Sequence, residues 1–152
     1  MGSTALCFHI SAISGPRTFS LKGPALLLRH VDAVVFVADA QASRLEATLE
    51  SWEDLCANLA DQGRPTIPRV LQYNKYDLPG VIAPEELDGA LNPQQLPRIL
   101  AVAADGRGVM ETFKTAVKET LVGLRAGRLV QQELPPGKAP TEPLRLWSLF
   151  RT

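Results

Sequence analysis

This sequence of 152 residues has no excess of positive or negative charge, only two cysteines and no long apolar run. Sixteen Lys and Arg side chains balance 16 Asp and Glu, which argues against bulk nucleic-acid binding, because that binding needs clustered positive charge. Cys7 and Cys56 are the only two cysteines and lie far apart, so the sequence suggests neither a disulfide framework nor a cysteine metal knuckle. No apolar run reaches the about 18 residues of a membrane-spanning helix, and no signal-peptide pattern opens the sequence. We therefore expect a cytoplasmic protein without a membrane span.

Short apolar runs typical of strands alternate along the sequence with segments of helical periodicity, and this alternation predicts an α/β fold. The run Ala33–Ala38 is continuously apolar, as in a strand buried on both faces of a parallel sheet, and Asp39 after it is interpreted as a turn or cap residue. Behind a capping-box spacing at Ser43 and Glu46, apolar residues recur at helical intervals. Further strands are predicted at Leu6–Ile10, Pro68–Tyr73 and Ile99–Val102. A further helix is predicted to start at Pro84, and another to span Val109–Leu124. The apolar residues on one face of the latter helix are Val109, Phe113, Val117, Leu121 and Leu124. The pattern indicates a doubly wound parallel sheet of about four strands with flanking helices.

Proline is concentrated near the carboxyl end of the sequence. The cluster between Leu134 and Pro143 predicts an extended linker, so we divide the chain into a domain over 1–130 and a linker with a short apolar tail over 131–152. Trp147 and Phe150 make this tail too apolar for a merely solvated segment. Two alternatives stay open for it: docking back on the domain, or contact with a partner.

The segment Asn74-Lys75-Tyr76-Asp77-Leu78 directly follows a predicted buried strand and has the Asn-Lys-x-Asp pattern. The chemistry of guanine explains these residue types. A carboxylate such as that of Asp77 accepts two N–H bonds from guanine, one from the ring and one from the exocyclic amine, and adenine cannot offer that pair. The aliphatic stem of Lys75 can lie over the ring, while Asn74 can brace neighbouring loops. The position beyond a strand's carboxyl end is where ligands bind in such sheets.

Two passages carry a resemblance to a known family, over roughly residues 6 to 126. They are Leu27-Leu28-Arg29-His30-Val31-Asp32-Ala33-Val34-Val35-Phe36-Val37-Ala38-Asp39 and Val70-Leu71-Gln72-Tyr73-Asn74-Lys75-Tyr76-Asp77-Leu78-Pro79. Both resemble the bacterial Ras-like small GTPases of gliding motility and cell polarity. The resemblance implies a P-loop-NTPase-like fold, GTP and GDP binding, and a roadblock-type protein regulator. It also implies that Ala103 and Ala104 contact guanine beside Asn74, Lys75, Asp77 and Leu78, and that Gly15 matches the glycine of a switch segment.

The phosphate loop of that family, Gly-x-x-x-x-Gly-Lys-[Ser/Thr], does not occur in this sequence. With it the family's phosphate cradle, its phosphate-binding Lys and its Mg²⁺-binding hydroxyl are missing. We therefore assign no catalytic residue and no metal ligand, and we expect weak GTP or GDP binding, no Mg²⁺ bound by this chain alone and no useful GTP hydrolysis.

The missing segment predicts a gap in an N-terminally truncated sheet. In Ras-like proteins the strand before the phosphate loop lies between the strands that match Leu6–Ile10 and Ala33–Ala38. The Leu6–Ile10 strand could move over, a partner chain could supply a strand, or the sequence could be an incomplete copy of a longer GTPase. Function likewise stays open between a degenerate nucleotide-binding protein, a pseudo-GTPase interaction module and a fragment of a complete GTPase.

Overall fold

The chain folds into one parallel sheet with helices on both faces. The computed structural model describes residues 8–14, 28–127 and 144–150. Within them, five strands lie in the order β1-β5-β2-β3-β4, and every neighbouring pair is parallel. The strands are β1 (Phe8–Ser14), β2 (Ala33–Asp39), β3 (Arg69–Asn74), β4 (Arg98–Leu100) and β5 (Leu144–Phe150). The described α-helices are α1 (Leu45–Asp61), α2 (Pro84–Leu91) and α3 (Val109–Arg125).

Strand β2 shows why this sequence forms a covered parallel sheet. All seven of its residues are buried, as its continuous apolar run predicts. Val34, Phe36 and Ala38 belong to the larger core, which also contains buried side chains of α1 and α2. Val35 and Val37 point to the opposite face and pack in a second cluster with Ala116 of α3. The doubly wound α/β fold predicted from the sequence is therefore confirmed.

Helices α1 and α2 begin close to the positions that the sequence predicts, but α1 does not use the predicted cap. Pro84 stands in the first turn of α2, followed by two acidic residues. Before α1 the chain forms a 3-10 turn over Ala42–Arg44, so that Arg44 takes the cap position and no side chain caps the helix. The capping box predicted at Ser43 and Glu46 is wrong, because the chain is already turning at Ser43.

Helix α3 buries a row of small residues next to the predicted apolar face, from which Phe113 and Leu124 also pack partly against the core. Its buried residues are small: Thr112, Ala116, Thr120 and Gly123. Of the apolar residues predicted to face the core, Val109 is 41% exposed, and the others are only half-buried. Small side chains allow the helix axis to approach the sheet closely, and Gln72 of β3 donates a hydrogen bond to Thr112 Oγ1 at 2.8 Å. Close approach therefore selects small residues here over large apolar ones.

Strand β5, which lies between β1 and β2, comes from the segment that was predicted to be a tail. Its backbone pairs with β1 over seven residues, from Phe8 with Leu144 to Ser14 with Phe150, and with β2 over four. Strand β1 runs to Ser14, four residues beyond the predicted end at Ile10, and it pairs with β5. Of the alternatives left open for the gap, the one in which this strand moves over to pair with β2 is therefore wrong. The gap between β1 and β2 is filled by the chain itself, since a strand there satisfies backbone groups on both sides.

This placement changes the strand count and the meaning of the carboxyl-terminal segment. The sheet has five strands rather than about four, since residues 144–150 of the predicted tail form β5 of the same sheet. Of the two alternatives left open for the tail, docking back on the domain agrees with this strand order. The side chain of Phe8 on β1 also contacts Phe113 of α3 edge-on, with ring centroids 6.1 Å apart. Residues 131–143, where the linker was predicted, lie outside the described residues.

Candidate functional site

Three loops follow the carboxyl ends of neighbouring strands β2, β3 and β4 and meet at one edge of the sheet. They span residues 39–42, 74–82 and 101–108. Backbone hydrogen bonds join them: the N–H of Ala40 donates to the Asn74 carbonyl at 3.1 Å, and the N–H of Ala101 donates to the Tyr73 carbonyl at 2.8 Å. Because parallel strands end at the same edge, residues distant in sequence are brought together here. Six of the seven residues proposed from the sequence lie in the second and third loops.

The side chain of Asn74 ties the second loop to the third. Its Oδ1 accepts a hydrogen bond from the backbone N–H of Ala103 at 2.9 Å. A second tie runs between the same loops, in which the N–H of Tyr76 donates to the Ala101 carbonyl at 3.2 Å. Asn74 thus braces two loops, and it fixes the position of the 3-10 turn Ala103–Asp105 relative to Asp77.

Lys75 adopts an unusual backbone conformation and forms an ion pair. Its φ of 65° lies in the left-handed region, which costs a non-glycine residue about 1–2 kcal/mol. Its Nζ lies 3.0 Å from Oδ2 of Asp39, at the end of β2. Asp39 is 3% exposed, and its Oδ1 accepts a hydrogen bond from the Gln41 N–H at 3.1 Å. Asp39 therefore forms the turn expected from the sequence, and it also pairs with Lys75, which sequence reasoning missed.

Asp77 and Leu78 stand at the outer end of the second loop. Both are exposed, and Leu78 closes the turn by donating its N–H to the Lys75 carbonyl at 3.0 Å. Within the described parts of the chain, the Asp77 carboxylate has no hydrogen-bond or ion-pair partner. Ala104 is exposed and Ala103 half-buried. The loops therefore present an unengaged carboxylate and exposed backbone, which can accept and donate hydrogen bonds to a planar ligand.

The third loop is closed by its own polar contacts. Asp105 accepts hydrogen bonds from the backbone N–H of Arg107 at 3.0 Å and from its Nε at 2.8 Å, and these bonds lower the pKa of the Asp105 carboxyl. Gly108 takes the cap position before α3, and its backbone lies so close to Leu100 and Ala101 that a side chain has no room there.

Other features of the described residues add no second site. A shallow depression lined by Asp88, Asn92 and Arg98 lies at the other end of β4, where Asp88 is already engaged by Tyr73 and Arg98. Across residues 8–14, 28–127 and 144–150 there is no cluster of three or more His, Cys, Asp or Glu that could hold a metal ion. No helix in these stretches is long and apolar enough to cross a membrane. Gly15, the predicted switch residue, lies outside the described residues.

The sequence of this chain is similar to that of a known protein. No protein-family model matches the sequence. The chain is 45% identical over 122 residues to the mutual gliding-motility protein MglA of Myxococcus xanthus (strain DK1622). That alignment covers 79% of this chain, and the chain spans 62% of the length of MglA. MglA is a small Ras-like GTPase of gliding motility. With its parallel sheet and the Asn-Lys-x-Asp loop at the expected edge, this chain is a relative of the gliding-motility group of small Ras-like GTPases.

Proposed function

We propose that this chain is a GTPase-like protein that recognises guanine through the loops 74–78 and 103–104, without a phosphate and Mg²⁺ site of its own. The observation that supports this most is the 2.9 Å bond from the Ala103 N–H to Asn74 Oδ1, because it braces the two loops against each other. The bracing leaves the Asp77 carboxylate exposed beside them. In this proposal Asp77 reads the base, Lys75 and Leu78 flank it, and the backbone at Ala103 and Ala104 contacts its edge.

The specificity follows from hydrogen-bond chemistry. The Asp77 carboxylate accepts the ring N–H and the exocyclic amine of guanine, whereas adenine presents an unprotonated ring nitrogen at the same place. Two or three charge-assisted hydrogen bonds contribute about 1.5–3 kcal/mol each, and the entropy cost of association offsets much of that gain. We therefore expect a Kd on the order of 1 mM, equivalent to about −4 kcal/mol.

We propose that this chain alone does not hydrolyse GTP. Hydrolysis in P-loop proteins depends on Mg²⁺ and on a backbone cradle that positions the γ-phosphate. The printed sequence contains no Gly-Lys-Ser or Gly-Lys-Thr to build either. We therefore propose no catalytic residue and no metal ligand within this chain, and we propose GTP and GDP as weak ligands.

The biological setting proposed here comes from the relative. MglA is by its name a gliding-motility protein, and we propose that this chain acts in bacterial motility or polarity regulation, in the cytoplasm. A protein partner fits the structure, since β1 forms an edge of the described sheet and Ile10 on it is 55% exposed. By family resemblance we propose a roadblock-type regulator for that role. This surface favours a second candidate function, a pseudo-GTPase interaction module. Because the chain spans 62% of the length of MglA, we keep a third candidate, in which this chain is part of a complete GTPase.

The proposal is tested by titrating GDP and ADP into the isotope-labelled chain and following backbone amide signals by NMR. We expect GDP to shift the signals of residues 74–78 and 103–104 at millimolar concentration, and ADP to leave them unchanged. Asp77→Asn should abolish the difference between the two nucleotides, because the amide no longer offers two acceptor oxygens. Asp61→Asn, at an exposed carboxylate that ends α1, is the matched control and should bind like the wild type. Equal shifts with ADP and GDP in the wild type would refute guanine recognition.

A further inference from the structure

The buried carboxylate of Asp39 lies beneath the loop that carries the guanine motif. Only 2% of its side chain is exposed, and its Oδ2 lies 3.0 Å from the Lys75 ammonium. Its Oδ1 accepts the Gln41 N–H at 3.1 Å, so both carboxylate oxygens are engaged. A buried carboxylate is strongly destabilised without a cationic partner, so Asp39 holds the ammonium of Lys75 at this position.

The residues around Asp39 also hold the far end of the same loop. The N–H of Ala42 donates to the Gly80 carbonyl at 2.8 Å, and the N–H of Ile82 donates to the Ala40 carbonyl at 2.9 Å. Gln41 pairs with Val81 in an isolated antiparallel bridge. The loop 74–82 is therefore fastened at both ends to the segment that Asp39 begins, and Lys75 is fastened to it by its side chain as well.

Lys75 needs this support because its backbone lies in the left-handed region at a φ of 65°. That conformation turns the chain so that Asp77, two residues later, is exposed at the edge of the sheet. The Lys75 side chain is 32% exposed, so part of it stays open to a ligand while its Nζ is bound to Asp39. The exposed part of the Lys75 side chain, beside the unengaged Asp77 carboxylate, is a surface on which a flat base can lie.

We propose that Asp39 is a positioning residue for guanine recognition, which acts by holding Lys75 across the base-binding surface; this inference rests on the proposed function. Asp39 does not touch the base. Its ion pair removes the rotamer freedom of Lys75 before the ligand arrives, so that this entropy is not lost on binding. Releasing one such side chain weakens binding by about three- to tenfold.

The test is a double-mutant cycle on the full chain, with the Kd for GDP measured by NMR titration. Asp39→Asn keeps the shape of the side chain and removes the charge, and we expect the Kd to rise about three- to tenfold. Lys75→Met removes the ammonium, and the variant with both substitutions should bind no more weakly than Lys75→Met alone, because Asp39 acts through Lys75. A general loosening of the fold would instead give additive losses, and Asp61→Asn is again the control for a lost surface charge.

The outcomes separate the two proposals. If the wild type shows no preference for GDP over ADP, guanine recognition fails, and the role of Asp39 fails with it. If the wild type prefers GDP but Asp39→Asn binds equally well, or if the losses are additive, the positioning role alone is overturned. Should Asp39→Asn not fold, the same cycle is run with Asp39→Glu, which keeps the carboxylate but displaces it, and the same non-additive loss is expected.

Discussion

Replacement of single glycines by alanine gives a sharp test of the packing around the third loop. Gly108 caps α3 with a φ of +75°, and a Cβ atom there would clash with the Leu100 carbonyl oxygen and would lie 2.9 Å from Ala101 Cβ. Neither contact can be relieved by rotating a side chain, because one neighbour is backbone and the other is a methyl group. Gly106 has a φ of +85°, but a Cβ would meet nothing within 4 Å. Gly89 lies inside α2, also with open space around it.

The three positions separate the energetic terms. Gly89→Ala should stabilise the fold by about 0.5–1 kcal/mol, because alanine restricts the unfolded chain and favours the helix. Gly106→Ala should cost about 1–2 kcal/mol, the backbone penalty of a left-handed residue. Gly108→Ala pays that penalty plus about 1–3 kcal/mol for overpacking, a total of about 2–5 kcal/mol.

Urea unfolding followed by far-ultraviolet circular dichroism measures these differences directly, since a change in midpoint at constant slope is a change in stability. In thermal unfolding, each 1 kcal/mol corresponds to about 2–4 °C for a chain of this size. The order of stability should be Gly89→Ala, wild type, Gly106→Ala and Gly108→Ala, from highest to lowest. A Gly108→Ala protein as stable as Gly106→Ala would show that α3 does not begin against the end of β4.

Two further predictions concern strand β5 and the buried side chain of Tyr73. Ser148 of β5 pairs on one side with Ala12 and on the other with Val35, and Ser148→Pro removes its backbone donor. The free energy of unfolding measured in urea should therefore fall by about 1–3 kcal/mol or more. Unchanged stability would show that β5 is not part of the sheet. Burial, together with the hydrogen bond to Asp88, raises the pKa of Tyr73 far above its ordinary value. The unfolded chain therefore loses this proton near pH 10 while the folded chain keeps it, so stability should fall above pH 10 by up to about 1.4 kcal/mol per pH unit. Tyr73→Phe should remove that part of the slope in urea unfolding between pH 9.5 and 11, and identical slopes for both proteins would contradict the assignment.

Local sequence patterns predict the parts of the fold that local forces determine. The apolar run of β2 and the helical periodicity of α1 are such patterns, and both elements appear where predicted. The capping box at Ser43 fails because a 3-10 turn already occupies the chain there. The buried face of α3 could not be read from apolar spacing, since the distance between helix and sheet decides that small residues such as Ala116 pack inward.

A single sequence does not reveal which distant segments become neighbours in the sheet. Nothing in Leu144–Phe150 indicates that it enters the sheet between β1 and β2, because that position is defined by two strands more than a hundred residues away in sequence. The Asn-Lys-x-Asp loop itself could be placed, since it follows a recognisable strand. The pairing of Asp39 with Lys75 could be inferred only once β2 and β3 were known to be neighbours.

We propose that this chain recognises the base and not the phosphates. The most direct test is a calorimetric comparison of guanosine, GMP, GDP and GTP, each with Mg²⁺ present. We expect Kd values on the order of 1 mM that agree within about twofold across the series, because only the base makes contacts that contribute to binding. A Kd that falls steeply with each added phosphate, to micromolar values for GTP, would contradict this proposal and would show that a phosphate site exists.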